Sequence, residues 1–251
     1  MLGRSHALCG LTFGASVAAA LPAAPLPVRL LVIPVAGGAA LLPDIDKPGS
    51  RVARSLGPIT WLIAVVTAWT AARVYLATRT SLDSPNTNGG HRRLTHTIPG
   101  CVLFGAFAGV AVFVSPVAGA VVLALLIGLL SQGFRALGFG FCAAGAFLAW
   151  SAIVEFPAWW WLWPALVAAG AWVHCLGDTV TNSGTPMLWP LVRNGKRWDK
   201  VRSRIYFSTG SDYEKGPVTR RLWVLFALSV GFATGLVQMV AVAVYAAWVT
   251  A

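Results

Sequence analysis

The chain contains four histidines, and each lies in a short polar stretch within an otherwise apolar sequence. The stretches are Ser5-His6, Leu42-Pro43-Asp44-Ile45-Asp46, His91-Arg92-Arg93-Leu94-Thr95-His96 and His174-Cys175-Leu176-Gly177-Asp178. Three of the eight acidic residues also lie in these stretches. Imidazole and carboxylate groups together form the ligand set that binds Zn, Mn or Fe and activates water. The motifs therefore predict one or two divalent metal ions, with Zn as first choice and Mn or Fe as alternatives.

The spacing within two motifs indicates how they can present ligands. His174 and Asp178 are four residues apart, so on a helix they lie on one face about one turn apart, as the two histidines of HExxH zinc sites do. The alternative is a pair of polar residues that ends a helix. Asp44 and Asp46 follow Pro43 in a stretch unsuited to regular helix, and in an extended segment both carboxylates point the same way. The alternative there is a solvated turn.

The third motif places two arginines between two histidines. His91 and His96 are five residues apart, a spacing that does not align on an α-helix, so one is expected to end a loop and the other to begin a helix. A guanidinium group suits phosphate or carboxylate oxygens, and we expect Arg92 to contact substrate. The alternative is that the arginines anchor the chain at the membrane surface.

Each candidate residue receives a predicted role from its motif. The predicted metal ligands are His6, Asp44, His91, His96, His174 and Asp178. The predicted catalytic residues are Arg92 and Asp46, of which Asp46 would accept a proton and would not itself bind the metal. The predicted substrate contacts are Arg92, Arg93, Thr181 and Asn182, of which the last two are equally typical of a helix end. The weaker candidates are Thr95 and Thr97, as partners that orient imidazoles, and Asp212 and Glu214, as further polar groups.

The elements that must position these residues are membrane helices. Apolar residues make up 57% of the chain and charged residues 11%, against roughly 25% charged in soluble proteins. Several runs approach the ~20 apolar residues that span a bilayer. The expected spans are roughly 7–21, 27–42, 98–115, 117–130, 136–154, 159–177 and 222–249. We predict an all-α, polytopic helical bundle of about seven spans, which forms a single membrane-embedded domain over residues 1–251. The first run also resembles a secretory signal, but we expect it to be retained because His6 lies at its start.

The net charge of +11 is concentrated beside the predicted spans. Nine Lys and Arg residues lie between positions 193 and 221, which is typical of a cytoplasmic loop under the positive-inside rule and suits anionic lipid headgroups. Four tryptophans within 159–163 lie at the other end of the adjacent span, as in an interfacial aromatic belt. Loops 78–97 and 181–221 are therefore predicted to be cytoplasmic, at the inner membrane, and nucleic acid is not an expected partner.

One further apolar run, 57–77, decides whether the motifs can meet. If this run crossed the membrane, the motif at 91–96 would lie on the opposite side from the motif at 42–46. Counting membrane crossings backwards from the basic loop, 181–221, instead places residues 91–96 on the cytoplasmic side. Both counts agree only if 57–77 is a re-entrant or interfacial helix or a helical hairpin, which its opening Gly57-Pro58 and its Arg73 permit. All four motifs then share the cytoplasmic face.

The order of the motifs resembles that of the YdjM-type family. The shared features are an early His, Leu-Pro-Asp-Ile-Asp, His-Arg-x-x-Thr-His, and His-x-x-x-Asp followed by Thr and Gly, over roughly residues 3–215. Members of this family are inner-membrane proteins described as metal-dependent hydrolases and linked in some bacteria to the LexA-controlled damage response. The resemblance implies that the family's signature positions are His6, Asp44, Asp46, His91, His96, His174 and Asp178.

The chain departs from the family pattern in three places. Arg93 stands where glycine is usual, Thr97 stands where serine is common, and the stretch between Asp46 and His91 is longer. The family is in turn remotely similar to zinc phospholipase C and the P1-type nucleases, which suggests phosphoester hydrolysis by analogy.

We therefore expect an enzyme, a membrane-bound metal-dependent hydrolase that cleaves phosphoesters of lipid or lipid-linked substrates at the cytoplasmic face with metal-activated water. This hypothesis accounts for the ligands, the arginines and the membrane location together. One alternative is a transporter of metal ions or small molecules, which predicts internal repeats and charges within broken helices; the sequence has no clear repeat. The other is a non-catalytic membrane scaffold with a structural metal site.

Overall fold

A computed structural model describes residues 1–85, 91–134, 138–236 and 239, and the regular structure within these residues is helical. The α-helices are α1 Gly3–Ala20, α2 Leu26–Ala39, α3 Arg51–Arg54, α4 Pro58–Thr78, α5 Ile98–Val114, α6 Pro116–Gly133, α7 Gly138–Glu155, α8 Leu162–Thr179 and α9 Thr219–Ala233. Short 3₁₀ helices are Leu42–Asp46, Leu94–His96 and Pro157–Trp159, and Glu214–Val218 is a π-helix. The predicted all-α class is confirmed.

Proline and small hydroxyl residues determine where several helices begin. Helices α2, α4, α5 and α6 each carry a proline in the first turn, where its missing amide hydrogen leaves no helical bond unmade. Thr97 accepts a hydrogen bond from Gly100 N at 3.0 Å and caps α5. Ser115 accepts one from Val117 N at 3.2 Å, so this single residue ends α5 and caps α6.

Glycines allow the central helices to approach closely. A Cβ on Gly10 of α1 would lie 2.6 Å from the carbonyl oxygen of Ala36 in α2, and one on Gly38 of α2 would lie 1.9 Å from that of Leu126 in α6. Small residues at such contacts are typical of membrane bundles, where close backbone packing replaces the hydrophobic effect. Helix α8 contacts both α1 and α2, so these three helices meet around the polar motifs.

The outer surface of the bundle is apolar. Large side chains are exposed on several helices, among them Trp61 and Trp69 of α4, Phe107 and Phe113 of α5, Phe147 of α7 and Leu228 of α9. Soluble proteins rarely expose apolar patches of this extent. This surface therefore suits a lipid environment.

The described residues contain fewer candidate spans than the sequence suggests. Three helical stretches are long and apolar enough to cross a membrane, namely Leu26–Asp46, Pro58–Thr78 and Pro116–Gly133. A fourth arises if the pair Ala143–Glu155 and Pro157–Thr179 is one span. The expected seven spans are not confirmed. Apolar content alone does not reveal that this pair bends by 103° or that α5 has only 17 residues. Part of the run 222–249 lies outside the described residues.

The run 57–77 forms α4, one continuous helix of 21 residues, so a helical hairpin is wrong. Its length and composition are those of a membrane span, and only 22% of it is buried. A re-entrant or interfacial position stays a prediction. The C-terminal end of α4 is hydrogen-bonded to the basic loop. Thr78 Oγ1 accepts hydrogen bonds from Trp189 Nε1 at 3.3 Å and from Trp198 Nε1 at 3.1 Å.

Candidate metal centre

Four separate elements bring the polar motifs to one place. His6 lies in the first turn of α1, and His174 and Asp178 lie in the last turns of α8. The 3₁₀ helix Leu42–Asp46 carries two aspartates, and the segment 91–96 leads into α5. Since α8 is about 27 Å long at 1.5 Å per residue, this cluster and the Trp159–Trp163 stretch lie at opposite ends of that helix.

A first set of side chains, the buried group, consists of His6, His174 and Asp178, which are 0–1% exposed. Their nearest ligand atoms all lie within 4.8 Å of one another. The rings of His6 and His174 stack at a centroid distance of 3.6 Å, and His6 Nε2 is 3.2 Å from Asp178 Oδ1. Met1 N is 2.5 Å from the same oxygen. His6 Nδ1 is buried and has no hydrogen-bond partner within the described residues.

A second set, the open group, consists of Asp44, His91 and His96, whose ligand atoms also lie within 4.8 Å of one another. His91 Nε2 is 3.2 Å from Asp44 Oδ1, and the side chains of these two residues are 26% and 19% exposed. His96 is fully buried. The predicted ligands therefore all come together, but as two adjoining sets.

The two groups join through a pair of histidine nitrogens. His96 Nε2 and His174 Nε2 are 3.2 Å apart. His174 Nδ1 is 2.8 Å from the carbonyl oxygen of Ala40, which can only accept, so this nitrogen carries the proton of the neutral ring. Thr95 donates its hydroxyl to Asp46 Oδ2 at 2.8 Å, and His96 Nδ1 lies 2.9 Å from the same hydroxyl oxygen, so His96 also carries its proton on Nδ1.

Both facing Nε2 atoms consequently present lone pairs to each other. Burial lowers the pKa of His96, although Asp44 and Asp46 oppose this effect, so a proton between the rings is disfavoured. Asp44 Oδ1 and Asp178 Oδ2 each lie 3.6 Å from His174 Nε2 and add further acceptors. Facing acceptor atoms of this kind suit a divalent cation, and each of the two groups brings three ligand atoms close enough to hold one.

Asp46 orients two of these imidazoles. Its Oδ1 is 2.8 Å from His91 Nδ1, and its Oδ2 accepts the hydroxyl proton of Thr95, which in turn contacts His96. Burial alone would lower the pKa of His91, but hydrogen bonds with Asp44 and Asp46 outweigh it and raise that pKa to about 9. In the absence of metal, His91 is therefore an imidazolium between two carboxylates. The proton-acceptor role of Asp46 stays a prediction.

Arg92 faces the buried group. Its Nε and Nη2 lie 2.8 Å from the two carboxylate oxygens of Asp178, and its Nη1 donates to Thr181 Oγ1 at 3.0 Å and to the Gly184 carbonyl at 3.3 Å. Its backbone is left-handed, with φ of 74°. Arg93, by contrast, has a negative φ of −120°.

A cavity of about 390 Å³, the basic cavity, opens beside the open group. Its lining includes the cations Arg92, Arg93, Lys196 and Lys200 and the raised-pKa His91, which outnumber its two carboxylates, Asp83 and Asp199. Burial, together with the charges of Arg92 and Arg93, lowers the pKa of Lys200. The cavity is therefore a concentration of positive charge that suits an anion.

A larger cavity of about 860 Å³, the amphipathic cavity, lies between α1, the 42–46 turn, α6 and α9. It reaches the ligand Asp44 on its inner side, and its walls include apolar Leu8, Leu41 and Trp223. Three cations, Arg4, Arg51 and Lys215, also line it.

Comparison with known proteins identifies the family. The model of the YdjM inner membrane protein family matches residues 1–134 and 136–250. The chain belongs to the YdjM family. No curated protein and no solved structure matches it. Membership makes it an inner membrane protein by family description; the more distant likeness to zinc phospholipase C and P1-type nucleases stays a prediction.

Other polar residues of this YdjM protein lie around the centre rather than in it. Thr181 is buried behind Arg92 and donates to the Asp178 carbonyl at 2.8 Å, and the exposed Asn182 donates to Ser208 Oγ at 2.7 Å. Glu214 is buried and accepts hydrogen bonds from Leu2 N at 2.6 Å and Gly210 N at 2.7 Å. Asp212 is fully exposed. The substrate roles of Thr181 and Asn182 stay predictions.

Three features of the centre were missed from the sequence. The Ala40 carbonyl that fixes the His174 ring has no sequence signal, because every residue carries this group. Arg4 and Arg51 resemble ordinary anchors at the membrane surface, and only the fold places them in a cavity that reaches Asp44. Of the two threonines expected to orient imidazoles, Thr95 does so, whereas Thr97 caps α5.

Proposed function

We propose that this YdjM protein is a membrane-bound metal-dependent hydrolase that cleaves phosphoesters of lipid or lipid-linked substrates at the cytoplasmic face. The observation that carries the proposal is the pair of buried Nε2 lone pairs of His96 and His174, 3.2 Å apart. A scaffold with a structural metal needs only a closed ligand set, whereas catalytic sites keep an open position. The exposed edge formed by Asp44 and His91 provides that opening.

In this proposal some residues bind the metal and others orient the metal-binding side chains. His6, His174 and Asp178 hold a divalent ion from the buried side, and Asp44, His91 and His96 hold it, or a second ion, from the open side. A bound ion of this kind lowers the pKa of water and polarises phosphoryl oxygens. Asp46 orients His91 and, through Thr95, His96; Arg92 fixes both oxygens of Asp178.

The cations beside the open edge support a phosphate-containing substrate. Arg93 and Lys200 line the basic cavity together with His91, so an anionic group bound there lies next to the ligands. Guanidinium and ammonium groups are the usual partners of phosphate oxygens. The basic loop 181–221 favours a cytoplasmic position for this cavity.

Elemental analysis of the purified protein tests the metal. We expect bound divalent metal in the unaltered protein and its loss in His174→Ala and Asp178→Ala. Asp212→Asn is the matched control, because it removes an exposed carboxylate that lies outside the centre. Unchanged metal content in both alanine variants would contradict the ligand assignments.

A release assay tests the reaction. Purified protein in detergent is incubated with phosphatidate, an isoprenoid phosphate and a phospholipid, with and without a chelator. We expect a metal-dependent product from at least one substrate, absent in Asp178→Ala and present in Asp212→Asn. A metal-loaded protein that gives no product from any of them would favour the carrier or the scaffold.

A further inference from the structure

We propose that the amphipathic cavity is the binding site of a lipid-like amphiphile, with its hydrocarbon chain against the apolar walls and its phosphate group among the cations Arg4, Arg51 and Lys215. This inference rests on the proposed function for its biological purpose, but its binding test does not depend on catalysis. The cavity volume of about 860 Å³ is within the ~300–1,000 Å³ typical of ligand pockets.

The walls of the cavity are suited to a hydrocarbon chain. Leu8 and Leu41, each 1% exposed, form part of its inner surface. Phe134 and Trp223, whose ring centroids are 5.9 Å apart, line it on the side of α6 and α9. Both aromatic side chains are more than a third exposed, and α9 continues the apolar outer surface with Leu228. A chain can therefore lie in the cavity while it stays continuous with the surrounding lipid.

The charges of the cavity select an anion. Arg4, Arg51 and Lys215 are exposed cations along the same lining. Lys215 is 3.8 Å from the fully exposed Asp212, a contact that leaves it half exposed. A hydrocarbon wall alone would accept any amphiphile, but three cations beside it favour a phosphate headgroup.

The inner end of the cavity meets the metal ligands. Asp44 lines the amphipathic cavity, whereas His91 lines the basic cavity. His91 Nε2 and Asp44 Oδ1 are 3.2 Å apart, so the two cavities approach each other at these two residues. A phosphate bound by the cations of the amphipathic cavity would therefore share that cavity with the candidate ligand Asp44.

Binding of dodecyl phosphate to the metal-depleted protein tests this assignment. Affinity is measured by native mass spectrometry or calorimetry in a neutral detergent, with dodecanol and inorganic phosphate as the comparison probes. We expect dodecyl phosphate to bind more tightly than either probe. The double substitution Arg4→Gln and Arg51→Gln should weaken it about thirtyfold, since each charge near the surface is worth about 1 kcal/mol.

The matched control is Arg220→Gln with Arg221→Gln, which removes the same charge from exposed residues at the start of α9 that do not line the cavity. This control should leave the affinity unchanged. Val52→Trp, which fills the cavity from α3, should weaken binding of both dodecyl phosphate and dodecanol. Equal binding of inorganic phosphate, or a dodecyl phosphate affinity unaffected by both the double substitution and Val52→Trp, would overturn the proposal.

Failure of the proposed function would look different from failure of this inference. Removal of metal by a chelator should abolish hydrolysis but leave dodecyl phosphate binding intact, because the binding assay uses metal-depleted protein. If no hydrolysis is found while binding shows the expected dependence on Arg4 and Arg51, the enzyme is refuted and the lipid site stands.

Discussion

The buried and open groups supply three ligands each, but they differ in how the chain holds them. In the buried group every side chain is at most 1% exposed, and Asp178 is fixed by Arg92 as well as by the end of α8. In the open group Asp44 and His91 come from turns and remain 19% and 26% exposed. Under the proposed function, the helix ends would retain the ion, whereas the partly exposed edge formed by Asp44 and His91 would admit the substrate.

The largest expected difference between the groups concerns stability. Asp178→Asn removes the only carboxylate within hydrogen-bonding distance of the Arg92 guanidinium among the described residues, so it leaves a buried cation uncompensated and should lower the free energy of unfolding by about 3–5 kcal/mol. Asp44→Asn, at a partly exposed position, should cost about 1 kcal/mol or less. Thermal unfolding of both variants in detergent with a chelator measures this. Equal melting temperatures of the two variants would contradict the expected difference in stability between the buried and open groups.

The hydrogen-bonded threonine gives the next largest effect. Thr95→Val breaks the connection between Asp46 and His96, and loss of such an orienting partner typically costs about 10–100-fold in metal affinity.

Thr97→Val is its control within the same segment. It removes the cap of α5 and should cost about 1 kcal/mol of stability with metal affinity unchanged. Metal titration of both variants, followed by melting, separates the two roles; an equal loss of affinity in both would show that segment folding, rather than orientation, is responsible.

The pH dependence of metal uptake should distinguish the open group. With its pKa raised to about 9, His91 holds a proton that metal must displace, so affinity should rise about tenfold from pH 7 to pH 8. In the metal-free protein the same proton stabilises the fold below the ordinary imidazole pKa of about 6.5, and this contribution is lost as pH rises through about 9. Asp46→Asn should flatten the dependence. Affinity independent of pH in this range would show that His91 is not a ligand.

The smallest effect is expected at the rim of the basic cavity. Lys200→Gln should raise the KM for an anionic substrate about threefold at low salt and less at high salt, because the side chain is exposed and screened. Since the pKa of Lys200 is lowered, the unaltered protein should lose this contribution at a less alkaline pH than an ordinary lysine would. Arg204→Gln, in the same loop but outside the cavity, is the control; an identical change in both would indicate a diffuse charge effect.

The residues that cluster were predictable because histidine and aspartate are rare in this apolar chain, so their motifs are easily recognised. The different directions of the Asp44 and Asp46 side chains were not. An extended segment would point both carboxylates the same way, but residues two apart on a 3₁₀ helix differ by about 240°. One therefore faces the ligands His91, His96 and His174, while the other lies behind His91 and Thr95.

The helical class followed from composition, whereas the number of spans did not. Runs 136–154 and 159–177 appear as two ordinary spans in the sequence. In the structure the chain bends by 103° between Glu155 and Pro157, and hydropathy contains no information on such an angle. The convergence of the motifs was expected from counting membrane crossings, but the contacts that achieve it, such as His174 with Ala40, depend on packing between distant helices.

Gly38 makes the centre sensitive to a position that touches no ligand. Its missing side chain is what permits α2 to lie directly on the backbone of Leu126, and Ala40, two residues later, holds the His174 ring. Any larger residue at position 38 would push α2 away from α6 and move the Ala40 carbonyl away from His174. A single added methyl group between two apolar helices can thus displace a carbonyl that fixes the ring of His174, at a distance in sequence from every candidate ligand.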